Sequence, residues 1–202
     1  MPIMDLDIDS HDIEKVSELI YGTDDGLFAL LFGNDMETAV SNIGKLVRLG
    51  NNSFGHENIY VDIDENGSIQ GLLIAYSGKE KKRMNDGQAF GGVFSLAKRI
   101  RLWVLNSLIV SRLINGSIGP DEFYISNVSV SPESRGKGIG TELMDKAQET
   151  AKEKGCDTLL LDVAIENDGA KRLYERLGFE IFKTKKLIFG VGPGTYSMRK
   201  SM

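Results

Sequence analysis

Side chains that commonly bind metal ions or form disulfides are scarce in this chain of 202 residues, which has one cysteine and two histidines. The single cysteine, Cys156, cannot form a disulfide within the chain. So few cysteines and histidines also exclude a typical structural zinc site. We therefore predict a protein without a metal ion that works in a reducing, cytoplasmic environment.

Long apolar runs are also missing. No stretch of 18 uncharged apolar residues occurs, so the sequence predicts no membrane-spanning helix. The acidic segment MPIMDLDIDS at the start of the sequence lacks the basic stretch of a signal peptide. Hydrophobic residues still make up 41% of the chain, enough for a substantial core, and the length predicts one domain over residues 1–202.

Basic residues are rare in the N-terminal third. Residues 1–66 contain 14 acidic and 3 basic residues, which gives them a net charge of −11. The whole chain carries −5, so the remainder carries +6. An acidic chain without a basic tail is a poor partner for nucleic acid. The separation of charge indicates that ligands of opposite sign approach the two parts of the chain.

The spacing of apolar residues predicts a mixed α/β (α+β) fold. Helical spacing predicts helices at 12–22, 35–50, 139–155 and 168–178. Alternating or continuous apolar residues predict strands at 59–64, 68–76, 122–130, 158–165, 179–189 and near 194–200. The charged segment 79–88 is expected to be a solvated loop.

Residues 89–118 are predicted to be a helical insertion. Within it, residues 93–114 read as a long helix that is apolar on more than one face. Its longest uncharged piece, 102–111, is too short to cross a bilayer, so we predict no stable membrane insertion. A helix this apolar must pack against another surface. We expect it to cover the substrate pocket or a second subunit, and the second case predicts a homodimer.

The segment SPESRGKGIGTELM, residues 131–144, places a glycine-rich, cationic turn at the start of a predicted helix. The backbone N–H groups of such a turn can point into one concavity, and the helix behind them adds partial positive charge. Arg135 and Lys137 add full charges. The turn lies within a strand–turn–helix–strand unit that joins parallel strands. These residues predict a bound phosphate or pyrophosphate, and a solvated turn without a ligand is the alternative.

Two common phosphate-binding motifs do not fit this turn. A P-loop needs Gly-Lys-Ser/Thr at its far end, which is absent here. A dinucleotide-binding fingerprint would need its third glycine at position 141, which is Thr141 here. The glycines of that fingerprint also follow directly after a strand. Here residues 131–135 separate the strand from the glycines.

Two segments in order, 128–144 and 159–180, resemble the Gcn5-related N-acetyltransferase (GNAT) superfamily. Residues 135–140, RGKGIG, fit the signature Arg/Gln-x-x-Gly-x-Gly/Ala of that superfamily. The second block is matched by Asn167, Ala170, Tyr174, Gly178 and Phe179. The resemblance covers roughly residues 122–182 and implies the GNAT fold, with a mixed central sheet, a cofactor-binding core and flanking helices.

The resemblance implies acetyl-CoA as the acyl donor. Its pyrophosphate would lie on the backbone amides of Arg135, Gly136, Lys137, Gly138, Ile139, Gly140 and Thr141. The backbone of Val128 and Val130 would pair with the pantetheine arm, and Asn167 would donate a hydrogen bond to it. Tyr174 would protonate the leaving CoA thiolate, a sensible role for a hydroxyl beside a developing thiolate. Since Tyr174 also belongs to an apolar helical stripe, core packing is its alternative role.

The general base is the part of the pattern that this sequence lacks. Many family members have a glutamate in the strand before the turn, and Ser126 occupies that position here. Glu122 lies on the same strand, about 13 Å away, and is our first candidate for the base. His56 and Glu57, just before the predicted hairpin, are further candidates, as is a chain of water molecules.

The resemblance therefore implies an N-acyltransferase that transfers an acetyl group from acetyl-CoA to an amine by direct attack. In this family the N-terminal helices flank the acceptor side of the cleft, so the charge of −11 over residues 1–66 predicts a cationic acceptor. A polyamine, a lysine side chain and a peptide N-terminus all fit. The alternatives are a non-catalytic acyl-CoA sensor and an assembly module built on the same fold.

Overall fold

The computed structural model describes residues 3–33, 35–95, 118–185 and 194–202 of the chain. The strands are β1 (Met4–Asp5), β2 (Ile59–Ile63), β3 (Ile69–Ser77), β4 (Glu122–Val130), β5 (Thr158–Ala164), β6 (Glu180–Lys185) and β7 (Thr195–Ser201). The helices are α1 (Ile13–Tyr21), α2 (Asp25–Phe32), α3 (Met36–Leu49), α4 (Gly78–Lys81), α5 (Asp86–Val93), α6 (Ile139–Glu153) and α7 (Asp168–Arg176). The helix predicted at 93–114 falls mainly on 96–117, outside the described residues.

One mixed sheet contains all of these strands, in the order β1-β2-β3-β4-β5-β7-β6. Strands β4 and β5 are parallel, and the other neighbouring pairs are antiparallel. Helix α6 connects the two parallel strands, as the strand–turn–helix–strand pattern predicted. The α/β fold class is therefore confirmed.

Helices cover the two faces of the sheet separately. One face packs against α1, α2, α3 and α5 through a buried cluster that includes Ile13, Phe28, Ile43 and Ala89. The other face packs against α6 and α7. Alternation along β3 assigns Leu72 to the first face and Leu73 to the second, as the period of two in a strand requires. We call these the N-terminal-helix face and the α6 face.

Aspartate caps begin the N-terminal helices. The side chains of Asp12, Asp24 and Asp35 accept hydrogen bonds from backbone N–H groups three residues on. The predicted cap at Asp35 and the predicted stop at Gly50, which has φ of +67°, are confirmed. Helix α2 was not predicted from the sequence.

The prediction of a loop over residues 79–88 is wrong, because α4 and the start of α5 lie there. Ser77 and Glu80 form a capping box in which the Glu80 carboxylate accepts from the Ser77 N–H at 2.8 Å. The side chain of Asn85 caps α5 by accepting from the Gln88 N–H at 3.0 Å. Local caps thus produce helices in a segment whose charge suggested a loop.

The only cysteine, Cys156, lies between α6 and β5 and is 5% exposed. Burial raises the pKa of its thiol above the ordinary value for cysteine. None of the helices in the described ranges is both long enough and apolar enough to cross a membrane.

A close approach between α6 and β3 fixes the position of α6. A Cβ atom added to Gly71 would lie 2.9 Å from Ile139 Cγ2 and 3.2 Å from Leu143 Cδ1. Ile139 is the first residue of α6, so this contact sets where the helix N-terminus meets the sheet. Glycine at position 71 is what permits the approach.

We expect Gly71→Ala to destabilise the protein by about 1–3 kcal/mol, because the added methyl group overpacks the contact with α6. Urea unfolding followed by circular dichroism measures this. Gly169→Ala in α7 is the control, since its Cβ would meet Asn167 Oδ1 at an ordinary 3.8 Å. Equal stability of the two variants would show that α6 can shift without cost.

Candidate active site

Strands β4 and β5 pair for only part of their length. Their last pair is Ile125 with Leu161, although β4 continues to Val130 and β5 to Ala164. Beyond Ile125, β4 pairs with β3 on one side and β5 pairs with β7 on the other. A gap therefore opens between the parallel strands. Backbone groups along this edge of β4 need hydrogen-bond partners, which an extended ligand can supply as an added strand would.

A β-bulge marks the start of this gap. The β3–β4 register shifts so that Ser126 is an extra residue between Ile125 and Asn127. Ser126 Oγ donates to Asn127 Oδ1 at 2.8 Å, and Asn127 Nδ2 donates to Thr23 Oγ1 at 2.9 Å. These bonds connect the bulge to the turn between α1 and α2, on the N-terminal-helix face.

The glycine-rich turn lies at the other end of the gap. Gly136 and Gly138 have φ of +79° and +93°, in the left-handed region that favours glycine. Residues 135–138 are exposed, and Gly138 caps α6 without any side-chain hydrogen bond. The N–H groups and positive end of α6 therefore point into a solvent-accessible turn, the usual arrangement of an anion-binding site.

Hydrogen bonds to β3 and β4 hold the start of the turn in place. The Ser131 N–H donates to the Gln70 carbonyl at 2.7 Å, and Ser134 Oγ donates to Gln70 Oε1 at 2.7 Å. Arg135 Nε donates to the Val130 carbonyl at 3.3 Å. The turn is thus anchored to the sheet, while its glycines remain at the surface.

All but one of the cofactor-binding residues predicted from the sequence lie on the chain from the end of β4 through the glycine turn into α6, and Asn167 lies at the start of α7. Val128 and Val130 lie on the part of β4 beyond the last pair with β5, and the turn follows them. The Thr141 N–H donates to the Gly138 carbonyl at 2.8 Å and so belongs to the hydrogen bonding of the turn itself. Asn167 caps α7, and its Oδ1 accepts from the Ala170 N–H at 3.0 Å.

Tyr174 lies in the core of the α6 face. Its ring centroid is 5.9 Å from that of Phe179, and its side chain is buried. A Cβ on Gly140 would touch Leu173 at 3.4 Å, so α7 packs closely beside the first turn of α6. Burial raises the pKa of Tyr174 to about 12, because the charged phenolate is disfavoured in this apolar environment.

The three candidate bases take part in local turns. Glu122 Oε2 accepts from the Gly119 N–H at 2.6 Å, at the start of β4, four residues before the bulge. A Glu57 carboxylate oxygen accepts from the Asn51 N–H, and His56 Nδ1 lies 3.1 Å from the Val47 carbonyl. The base role of Glu122 stays a prediction.

Sequence reasoning missed a buried polar cluster on the N-terminal-helix face. Tyr124 Oη donates to Asp162 Oδ2 at 3.1 Å, and Lys185 Nζ donates to Asp162 Oδ1 at 3.0 Å. Ser197 Oγ donates to the same Oδ1. The Asp162 and Lys185 side chains are only 6% and 7% exposed. Burial, and then the negative charge of Asp162, raise the pKa of Tyr124 well above the ordinary value for tyrosine.

A second tyrosine lies beside this cluster. The ring centroids of Tyr76 and Tyr124 are 5.9 Å apart. Burial raises the pKa of Tyr76, whose hydroxyl lies near those of Ser53 and Ser126. Lys81 lies 5.6 Å from the centroid of the Tyr76 ring. Both tyrosines thus lie close to the bulge.

One signal in the sequence points to the missed cluster. Asp162 is the only charged residue in the apolar run 158–165, and a buried charge requires partners. The sequence does not say which partners, because Tyr124 and Lys185 come from other strands. Within the described part of the chain, no three histidine, cysteine, aspartate or glutamate side chains form a group that could hold a metal ion.

The gap beside a bulge, with a glycine turn at its end, is an arrangement suited to a phosphate-bearing ligand with an extended arm. A family model described as the acetyltransferase (GNAT) family matches residues 51–179. That match spans more than half of the chain, and the chain belongs to this family. The resemblance seen in the two sequence blocks is therefore confirmed.

Curated relatives match a short part of the chain. A segment of 56 residues is 50% identical to an uncharacterized N-acetyltransferase of Methanocaldococcus jannaschii and covers 28% of this chain and 25% of that protein. A segment of 55 residues is 44% identical to thialysine N-epsilon-acetyltransferase of Bos taurus and covers 27% of this chain and 32% of that protein. The chain thus matches about a quarter to a third of the length of these relatives.

Solved structures resemble the chain over its whole length. A crystal structure of an N-acetyltransferase from Staphylococcus aureus Mu50 has a TM-score of 0.76 at 19% identity, covering 99% of this chain and 100% of that chain. A crystal structure of the NatC complex bound to Gag peptide and CoA has a TM-score of 0.57 at 16% identity, covering 100% and 98%. These likenesses confirm the GNAT fold.

Proposed function

We propose that the protein is an N-acetyltransferase that transfers an acetyl group from acetyl-CoA to an amine. The observation that carries this proposal is the path from the gap between β4 and β5 into the glycine turn before α6. Coenzyme A has an amide-containing arm that can pair with the edge of β4, and a pyrophosphate that suits the turn. The NatC structure named above contains CoA, which supports this reading.

The residues along this path have the chemistry to hold coenzyme A. The backbone amides of Arg135, Gly136, Lys137, Gly138, Ile139, Gly140 and Thr141 would surround the pyrophosphate, with Arg135 and Lys137 adding positive charge. The backbone of Val128 and Val130 would pair with the pantetheine arm. The Asn167 side-chain amide would donate to that arm, while its oxygen caps α7.

Acetyl transfer forms a bond between the amine nitrogen and the acetyl carbon and breaks the bond between that carbon and sulfur. The carbonyl oxygen gains negative charge on the way, and the Val128 N–H in the gap is suited to stabilise it. The leaving thiolate needs a proton. Tyr174 is protonated at neutral pH, as an ordinary tyrosine is, and it is the proposed donor.

We infer that the acceptor is a cationic amine. The bond between Asn127 and Thr23 places the turn between α1 and α2 next to the bulge, and Asp24 and Asp25 in that region are exposed. The surrounding residues 1–66 carry −11. Such a charge raises the local concentration of cations. One relative is named for the N-epsilon amine of thialysine, which supports an acceptor of this class.

A non-catalytic acyl-CoA sensor is the second candidate. The observation in its favour is Ser126, a side chain that cannot act as a carboxylate base, at the bulge. The homodimer and the cytoplasmic location predicted above are also proposals, and they rest on the sequence alone.

We expect the protein to release CoA from acetyl-CoA in the presence of spermidine, lysine or an alanine-initiated peptide. For the best of these amines, kcat/KM should fall as salt rises, because exposed charges are screened beyond about 10 Å at 0.1 M ionic strength. Asp25→Asn should lower kcat/KM by about two- to threefold at low salt. Glu65→Gln, at the hairpin tip, is the control.

Binding of acetyl-CoA without transfer to any of the three amines would favour the sensor. A kcat/KM that does not respond to salt or to Asp25→Asn would contradict a cationic acceptor and leave the transferase proposal intact.

Gly138→Glu should weaken acetyl-CoA binding at least about tenfold, equivalent to about 1.4 kcal/mol, because a carboxylate would occupy the phosphate turn. Isothermal titration calorimetry measures this. Gly155→Glu is a matched control, because Gly155 follows the other end of α6 and also has a positive φ, of +67°. If both variants fold and bind acetyl-CoA like the parent, the turn is not the phosphate site.

Tyr174→Phe should lower kcat by about 10²-fold or more, because the thiolate loses its proton donor, and should leave acetyl-CoA affinity nearly unchanged. Steady-state kinetics with calorimetry separates the two quantities. Tyr60→Phe removes a hydroxyl from another tyrosine buried on the α6 face and serves as the control. Full turnover by Tyr174→Phe would mean that another group protonates the thiolate.

A further inference from the structure

The hydroxyl of Tyr124 lies where the gap between β4 and β5 begins. Tyr124 pairs with Leu160 across the two strands, but its hydroxyl reaches Asp162. Asp162 follows Leu161, the last residue of β5 that pairs with β4. The hydroxyl is therefore beside the first position of β5 after its pairing with β4 ends, at the narrow end of the gap.

The direction of the hydrogen bond at Tyr124 is fixed by its partner. Asp162 uses both carboxylate oxygens as acceptors, Oδ1 for Lys185 and Ser197 and Oδ2 for Tyr124. A tyrosine hydroxyl has one proton to donate and can also accept. Since that proton is given to Asp162, Tyr124 Oη offers its lone pairs to any further partner.

The position of Tyr124 suits a contact with the acceptor and not with the acyl donor. Tyr124 belongs to the cluster on the N-terminal-helix face, whereas the glycine turn leads into α6 on the opposite face. The Asn127–Thr23 bond brings the acidic turn after α1 to the same end of the gap. The Tyr124 side chain is 4% exposed, and a hydrogen bond in such a shielded place is stronger than one in water.

We propose that Tyr124 Oη accepts a hydrogen bond from an N–H of the acceptor amine, and that Asp162 is the positioning residue that keeps the Tyr124 proton turned away. This inference rests on the proposed acetyl transfer and adds a residue that touches the acceptor. The contact selects a group with hydrogen-bond donors and disfavours a carboxylate or carbonyl oxygen at this point.

The chemistry balances without a proton transfer to Tyr124. The amine arrives neutral, after an ammonium has lost its proton to solvent. It forms the nitrogen–carbon bond while the carbon–sulfur bond breaks. Tyr174 gives its proton to the thiolate, the nitrogen releases one proton to solvent, and Tyr174 regains a proton from solvent, so no proton is gained or lost overall. Tyr124 orients the nitrogen lone pair by holding one of the N–H groups. Its raised pKa agrees with this role, because the side chain stays a neutral phenol.

The neighbouring Tyr76 is less suited to the role. Its hydroxyl lies near those of Ser53 and Ser126, and Ser53 accepts a hydrogen bond from Lys81. The Ser53 N–H and hydroxyl also donate to Asp86. Tyr76 is thus part of a network that ties the loop before β2 to α5, and it serves as a comparison in the experiment.

The first test compares Tyr124→Phe with the parent in transfer to the best of spermidine, lysine and the alanine-initiated peptide. We expect kcat/KM for that amine to fall about tenfold, the effect of losing one shielded hydrogen bond. The acetyl-CoA dissociation constant should stay close to the parent value, whereas the melting temperature should fall, because the buried Asp162 carboxylate loses one hydrogen-bond donor. Tyr60→Phe, on the α6 face, is the matched control.

The second test removes the positioning group. Asp162→Asn leaves Lys185 buried beside a neutral amide, so it is expected to lower stability. If Asp162→Asn does not fold, Asp162→Asn combined with Lys185→Met removes both charges and is used in its place. In either variant kcat/KM for the amine should fall as in Tyr124→Phe, with acetyl-CoA affinity retained. Adding Tyr124→Phe to the Asp162 variant should then lower kcat/KM for the amine only slightly further, because the two residues act through one contact.

Three results would overturn the inference. If kcat/KM for the amine in Tyr124→Phe stays within twofold of the parent value, Tyr124 does not contact the acceptor. If kcat/KM falls further in Tyr76→Phe than in Tyr124→Phe, the contact belongs to Tyr76. In both cases the parent still acetylates the amine, so the proposed function stands. A parent that acetylates none of the three amines contradicts the proposed function and this inference together.

Discussion

Backbone hydrogen bonding between β4 and β5 stops at Ile125 and Leu161, and the rest of the site is arranged around this interruption. An unsatisfied backbone group in a protein interior costs about 1–3 kcal/mol, so neighbouring parallel strands normally continue to pair. Here each strand is held from its other side. Strand β5 pairs with β7 along its whole length, and β4 pairs with β3 on either side of the bulge.

A chain of polar contacts crosses the sheet where the interruption begins. Through Asp162, Tyr124 on β4 is connected to Lys185 on β6 and Ser197 on β7. A buried ion pair adds little net stability, because desolvation offsets most of the attraction. Its directional bonds instead define how β4 lies relative to the strands beyond the gap. A purely apolar contact would hold the strands together with less control over their angle.

Local signals explain what the sequence could predict. The glycine turn and the start of α6 depend on Gly136 and Gly138, whose positive φ is a property of the residues themselves. The pairing of Tyr124 with Asp162 joins residues 38 positions apart, and no short-range pattern encodes it. The gap is equally hidden, because nothing in the run 158–165, in which Asp162 is the only charged residue, marks where pairing with β4 ends. Helix α2 was missed because its sequence, DGLFALLF, shows little contrast between faces.

The buried position of Cys156 makes the released product easy to count. Coenzyme A leaves with a free thiol, which a thiol-reactive chromophore reports as colour. The single protein thiol is 5% exposed and its pKa is raised by burial, so little thiolate is available to react with the same reagent. The folded protein therefore contributes almost no colour of its own in such a measurement. A colour signal that exceeds the protein concentration reports turnover, and a slow rise toward one equivalent reports unfolding.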